Sequence, residues 1–353
     1  MMPLTILSIA YPLARVMPDA VGGAEQVLSQ LDRALTQRGH HSIVVAADGS
    51  RVQGMLVSFP EVTAPFDEAA LRLATRRARL AVQCALSDWP VDVVHIHALD
   101  YTGLLPPPGL PVLATLHLPR DCYTPDALHP TRPDTWLQCV SLTQYRTMGR
   151  VERMLAPIEN GVPLPALHPH AKRSFALTMG RICPEKGFHT AIDACRRVGV
   201  PLVLGGQVYA YESHERYFAD EIEPRLGRGV RFVGPLRGVR KQHFLAAARC
   251  VIIASTIDET SSLLAREALA AGTPVVALRR GALVDVIEHG VTGFLVDDDV
   301  ALSEAIRASV DLDPQVCREH ARERFGEGRM IDAYLSVYRI LSAVHPQSYA
   351  SAR

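Results

Sequence analysis

The chain has 353 residues, 48% of them apolar and 21% charged, too long for one compact core and ordinary for a soluble globular protein of two domains. Lysine plus arginine and aspartate plus glutamate each number 37, so no global field recruits nucleic acid or an anionic membrane. The seven cysteines are scattered, odd in number and never spaced C-x-x-C, which argues against a disulfide framework or a cysteine zinc site and for free thiols in a reducing compartment, hence the cytoplasm.

The opening "MMPLTILSIAYPLARV" lacks a basic start, and its apolar run is short and broken by proline, so it predicts a first strand over Leu4 to Ala10 rather than a signal peptide. "DAVGGAEQVLSQL" then sets Gly22 and Gly23 directly before a helix that starts near Ala24 and runs to Arg38. Glycines there let backbone approach a phosphate or sugar closely. A strand over His41 to Ala47 follows, then a helical stretch over Asp67 to Leu86 on which Arg72, Arg76 and Arg79 share one face. That face suits plain solvation or a weak contact with anionic lipid or an acidic acceptor. "VDVVHIH", Val91 to His97, and "PVLATLH", Pro111 to His117, complete the strands of the first half. His95 and His97 alternate and therefore share a face, with no third metal ligand in view; His117 ends its strand, where side chains reach ligands, with a core or loop histidine as the alternative.

In "NGVPLPALHPHAKRS", Asn160 to Ser174, prolines and polar residues interrupt both periodicities and mark a boundary between domains of residues 1–165 and 166–328. Beyond it, strands are predicted over Phe175 to Met179, Pro201 to Gly206, Val230 to Gly234, Cys250 to Ala254, Pro274 to Leu278 and Gly293 to Asp297. Short β-rich runs alternating with amphipathic stretches argue for parallel sheets of βαβ units. The expected architecture is α/β, two Rossmann-like doubly wound domains facing across a cleft. No segment approaches the roughly 20 apolar residues of a spanning helix.

Two segments of the second half carry chemistry. In "TMGRICPEKGFHTAIDA", Thr178 to Ala194, a strand runs into Gly180 and Arg181, a loop follows, and Lys186 and Gly187 precede a helix. Two cations and a helix N-terminus aimed at one spot suit phosphate groups; a surface arginine and lysine beside a turn is the alternative. In "DETSSLLAREALAAGTPVVA", Asp258 to Ala277, Glu259 follows a strand and Glu267 lies inside a helix that begins near Ser261 or Ser262, either of which can cap it. A carboxylate in such apolar surroundings needs a partner. For Glu267 that partner is the hydroxyls of a ribose or, alternatively, Arg266 or a lysine within the fold; Glu259 suits the hydroxyls of a neutral sugar. No Walker loop, G-x-G-x-x-G, G-x-S-x-G or H-E-x-x-H occurs.

Together with "GGAEQ", "DVVHIH", "TLH", "ENGVP", "MGRICPEKG", "VRFVGPL" and "GVTGFLVDD" in this order, these segments closely resemble the retaining glycosyltransferases of the GT-B fold in family four, across almost the whole chain. The resemblance implies a second domain that binds a nucleoside diphosphate sugar and a first domain that binds most of an acceptor, whether glycan, lipid or small molecule. It implies that Arg181 and Lys186 hold the diphosphate beside Gly180, Glu267 takes the ribose, and Glu259 contacts the donor sugar. The amides around Ser262, Leu263 and Leu264 would face phosphate and sugar, Val233 to Leu236 would lie near the base, Gly22 and Gly23 would approach the diphosphate, and His117 would line the reaction centre. The last helix, about 329–344, would pack back on the first domain. No metal or other cofactor is implied. Relatives commonly carry glycine where this chain has Thr260 and Ser262, which bears on donor choice and activity. A sugar-nucleotide epimerase of the same fold and a non-catalytic nucleotide-sugar-binding module are the alternatives.

Overall fold

A computed structural model describes residues 2–164 and 172–344. The chain divides into two compact units: residues up to Val140 with Tyr145–Ile158 and those from Gly328 onward, and Ser141–Gln144 with Glu159–Glu327. The boundary expected at residue 165 falls within 165–171, outside the described residues.

The first unit holds β1 (Thr5–Ile9), β2 (His41–Ala47), β3 (Met55–Phe59), β4 (Val93–Ile96), β5 (Val112–Leu116) and β6 (Thr135–Cys139), all parallel in the order β3-β2-β1-β4-β5-β6. The second holds β7 (Ala176–Arg181), β8 (Leu202–Gln207), β9 (Val230–Phe232), β10 (Cys250–Ile253), β11 (Val275–Leu278) and β12 (Gly293–Val296) in the order β12-β11-β10-β7-β8-β9. Both are doubly wound, and each order reverses at one point, between β1 and β4 and between β10 and β7.

The central strands are buried on both faces, every residue of β1, β4 and β10 included, which is why they read as largely apolar runs, with Thr5, Ser8 and His95 the exceptions. β3 and β6 do not read as strands in the sequence, and both are edge strands. β3 exposes Met55 and Ser58, while β6 carries Thr135 and Gln138 among its apolar residues. The helices Gly23–Gln37 and Glu68–Asp88 fall where periodicity predicts them, the second capped by the Asp67 carboxylate on the Ala70 amide.

Tying the last helix, Glu327–Val344, to the first sheet is a stripe of Met330, Ile331, Tyr334, Leu335, Tyr338 and Leu341, all buried. Two of its hydroxyls go further: Tyr338 Oη lies 2.7 Å from His95 Nδ1, and Tyr334 Oη 3.3 Å from Thr115 Oγ1. No helix among the described residues is long and apolar enough to cross a membrane.

Candidate functional site

The second sheet reverses direction between β7 and β10, and in open α/β sheets ligands bind outside the strand ends at such a point. The loops leaving these two strands carry the residues singled out above. Two glycines draw the loops together. Gly187 sits in the left-handed region at φ 59°, and a Cβ there would collide with the Ala254 carbonyl. Gly281, at φ 52°, packs against the backbone of Glu259 in the same way, and the Ala282 amide donates to the Glu259 carbonyl at 2.6 Å.

Lys186 Nζ lies 2.6 Å from Glu259 Oε1, with the side chains 25% and 10% exposed. Ser255, the first residue beyond the apolar run of β10, donates to the same oxygen. Burial alone would raise the Glu259 carboxyl; Lys186, the Ser255 hydroxyl and Arg181 override it and hold the group below the usual carboxylate range. Sequence reasoning sent the lysine to a diphosphate and the glutamate to a sugar. The structure joins them. The Arg181 guanidinium makes no hydrogen bond among the described residues, and Gly180 before it has φ 147°.

Beyond Glu259 the chain enters the helix Leu263–Ala270 through Ser262 at φ 52°, ψ 75°. Neither expected serine caps that helix: Ser262 makes no side-chain cap, because its left-handed backbone departs from the extended geometry a cap requires, and the buried Ser261 hydroxyl has no partner among the described residues. A serine in this conformation costs about 1–2 kcal/mol that glycine avoids. Ser262→Gly is therefore expected to raise unfolding stability by about 1 kcal/mol in denaturant titration. Thr260 does not share the positive φ.

Glu267 is not left waiting for a ribose. Lys241, on the neighbouring helix Gly238–Ala247, puts Nζ 2.6 Å from Glu267 Oε1, with both side chains about seven-eighths buried at 13% and 14% exposure. Sequence reasoning missed Lys241 because "RKQHFLAAA" reads as an ordinary surface start of a helix. Arg266 turns the other way, fully buried, donating to the Asn160 carbonyl at 2.9 Å and the Ser261 carbonyl at 3.2 Å and stacking 4.5 Å over Phe325. Val233 leaves β9 with its amide on the Leu204 carbonyl, on the β8 side of the same reversal point.

In the first unit, Gly22 is the N-cap of the helix Gly23–Gln37, and the buried Glu25 carboxylate folds back over it, so an anion at those amides would meet a carboxylate first. His95 and His97 do have a third histidine beside them. His97 Nδ1 lies 3.0 Å from His117 Nε2, and His97 Nε2 lies 3.2 Å from His95 Nδ1. Burial lowers all three, His95 and His97 far below their ordinary value and His117 to about 4. They are neutral hydrogen-bonding rings at neutral pH.

Elsewhere, Cys183, Glu185 and His214 bring ligand atoms within 4.8 Å of one another. Burial pushes the Cys183 thiol up to about 11, a hydrogen bond joins it to Glu185, and the Arg181 cation acts on all three. A protonated thiol beside a guanidinium is a poor metal ligand. Arg72, Arg76 and Arg79 are exposed, Arg72 in an ion pair with Glu68.

Residues 173–311 match the family model described as Glycosyl transferases group 1, and residues 21–159 match Glycosyltransferase Family 4. The chain is 26% identical over 382 aligned positions to a glycogen synthase of Mycobacterium tuberculosis, covering 91% of this chain and 89% of that protein. Among solved structures, it superposes on AviGT4, a glycosyltransferase involved in avilamycin A biosynthesis, with a TM-score of 0.71 at 25% identity, covering 97% of this chain and 98% of that one. Anabaena HepE, solved with UDP and glucose, superposes with a TM-score of 0.72 at 18% identity, covering 95% and 99%.

Proposed function

The chain belongs to the GT-B glycosyltransferases of family four, and from that premise we propose that it moves a sugar from a nucleoside diphosphate sugar to an acceptor hydroxyl with retention of configuration. The observation that carries this reading is the cluster at the reversal point of the second sheet: Arg181 at the end of β7, Lys186 beyond it and Glu259 beyond β10. The UDP and glucose held by HepE support a nucleotide-sugar donor.

When the bond between the sugar carbon and the diphosphate oxygen breaks, negative charge grows on the leaving oxygen. Arg181 and Lys186, with the amides at Ser262, Leu263 and Leu264, stabilise that charge without a metal. The acceptor hydroxyl attacks from the face the diphosphate leaves, its oxygen bonding the sugar carbon and its proton passing to the departing phosphate. Glu259 steers the donor sugar's hydroxyls, and Gly180 allows close backbone approach to the diphosphate, a role that the Glu25 carboxylate over Gly22 disfavours for Gly22 and Gly23. Val233 lies by the base, and His117 by the reacting sugar. The strain kept at Ser262 fits this reading, because strained backbone persists at functional sites. The free thiols suit a reducing, cytoplasmic setting.

Calorimetry against UDP, GDP and ADP sugars tests the donor site, and silence with all of them would end the proposal. An epimer formed from the donor alone, with no acceptor present, would replace transfer by epimerisation. Lys241 holds one oxygen of Glu267 and leaves the other for the ribose. Glu267→Gln and Lys241→Met should each weaken donor binding by about tenfold or more, the worth of a hydrogen bond to a charged group. Wild-type affinity in both variants would take the pair out of the donor site.

A further inference from the structure

The three histidines of the first unit form a hydrogen-bonded chain whose direction can be worked out from its far end. Gln138 is fully buried, and its side-chain amide donates to the Cys139 carbonyl at 2.8 Å, which fixes its oxygen toward Thr115. That oxygen only accepts, so Thr115 donates its single proton to it, at 3.3 Å. Thr115 Oγ1 then has only acceptor capacity left for His95 Nε2, 2.7 Å away, and His95 must carry its proton there. His95 Nδ1 is left as a lone pair, which receives the Tyr338 hydroxyl at 2.7 Å, while the His97 Nε2 proton meets the same electron-rich nitrogen at 3.2 Å from the ring face, the two tilted rings having centroids 3.9 Å apart. His97 Nδ1 is in turn a lone pair, and the partner 3.0 Å from it, His117 Nε2, must donate. The reverse assignment leaves the Gln138 and Thr115 oxygens, both fully buried, facing each other with no proton between them.

We infer that His97, His95 and the Thr115–Gln138 pair are positioning residues that fix His117 in one tautomer, with the proton on Nε2 and the lone pair on Nδ1. A group met at His117 Nδ1 is therefore met by an acceptor. A sugar hydroxyl suits it and a phosphate oxygen does not, so within the proposed function His117 serves the sugar side of the donor or the acceptor hydroxyl rather than the diphosphate. The tautomer assignment stands on hydrogen bonds alone; its catalytic use rests on the transferase reading.

Long-range ¹⁵N–¹H correlation of the full chain, labelled at histidine and recorded at neutral pH, reads the tautomers directly. All three rings are expected as Nε2–H forms, and a proton on Nδ1 of any of them overturns the chain. Thr115→Val removes the anchoring hydroxyl at nearly constant volume, and His117 should then move, wholly or in part, to the Nδ1–H form. An unchanged His117 pattern in that variant would show that Thr115 does not set the direction. With an active donor and acceptor, Thr115→Val should lower kcat about tenfold and leave the donor dissociation constant within about twofold. A reversed tautomer with unchanged kcat would overturn the positioning role. Absence of transfer by the wild type with every donor would fall on the proposed function instead, and the spectra would still decide the tautomer.

Discussion

Lys186→Ala is expected to lower kcat by about 10²–10³, the usual loss when one preorganised group facing a developing oxyanion is removed. Donor affinity should change much less, because Arg181 and the helix amides remain. Two consequences make the variant informative beyond the rate. Glu259 loses the cation 2.6 Å from its carboxylate and keeps the Ser255 hydroxyl and the more distant Arg181, so its carboxyl rises from its lowered position. The acid limb of the rate profile should move to higher pH with it. Lys186→Arg should recover part of kcat and of the limb, since charge returns in a different shape. Unchanged turnover in Lys186→Ala would remove the lysine from leaving-group stabilisation, whatever it does for Glu259.

The sequence makes the doubly wound architecture readable because eight of the strands are largely apolar runs with a neighbour on both sides, as central burial demands, and the edge strands β9 and β12 keep apolar residues too. The two it hides, β3 and β6, stand at the edge where one side has no neighbouring strand, and polar residues are tolerated there. At the site, Arg181, Lys186, Glu259 and Glu267 are legible because each lies at a strand end, a short step beyond one or inside a helix. Their pairing is not. Lys241 comes to Glu267 from 26 positions away on another helix, and no periodicity encodes a contact between two helices. The histidines fall between these cases. Alternation puts His95 and His97 on one face, but His117 joins them only through the β4–β5 register, in which His95 sits opposite Leu113 and Ile96 opposite Ala114. That register follows from folding, so the third ring is out of sight until the strands are paired.

The same three rings should make the first unit acid-labile. In the unfolded chain a histidine titrates near its ordinary value of about 6.5. Folding lowers His95, His97 and His117, through burial first and, for His95 and His97, also through neighbouring rings, so below that value the unfolded chain binds more protons than the folded one. Stability is then complete above about pH 6.5 and falls as pH drops beneath it, by about 1.4 kcal/mol per pH unit for each ring still neutral in the fold. For His117, held at about 4, the loss runs over the whole interval down to pH 4; for the two fully buried rings it extends further. Three rings losing stability together would consume several kcal/mol between pH 6.5 and 5, a large share of the ~5–15 kcal/mol that holds a domain. Tyr334 and Tyr338, which pack against the rings, are raised by burial and stay neutral throughout, so they do not offset the loss. Both tryptophans, Trp89 and Trp136, lie in this unit, and their fluorescence reports it separately from the other. Urea titrations followed at tryptophan should show the midpoint nearly constant from pH 8 to 7 and dropping steeply from 6.5 to 5. A flat midpoint across the lower range would mean that the rings are not held neutral, and the directional chain ending at His117 would lose its physical basis.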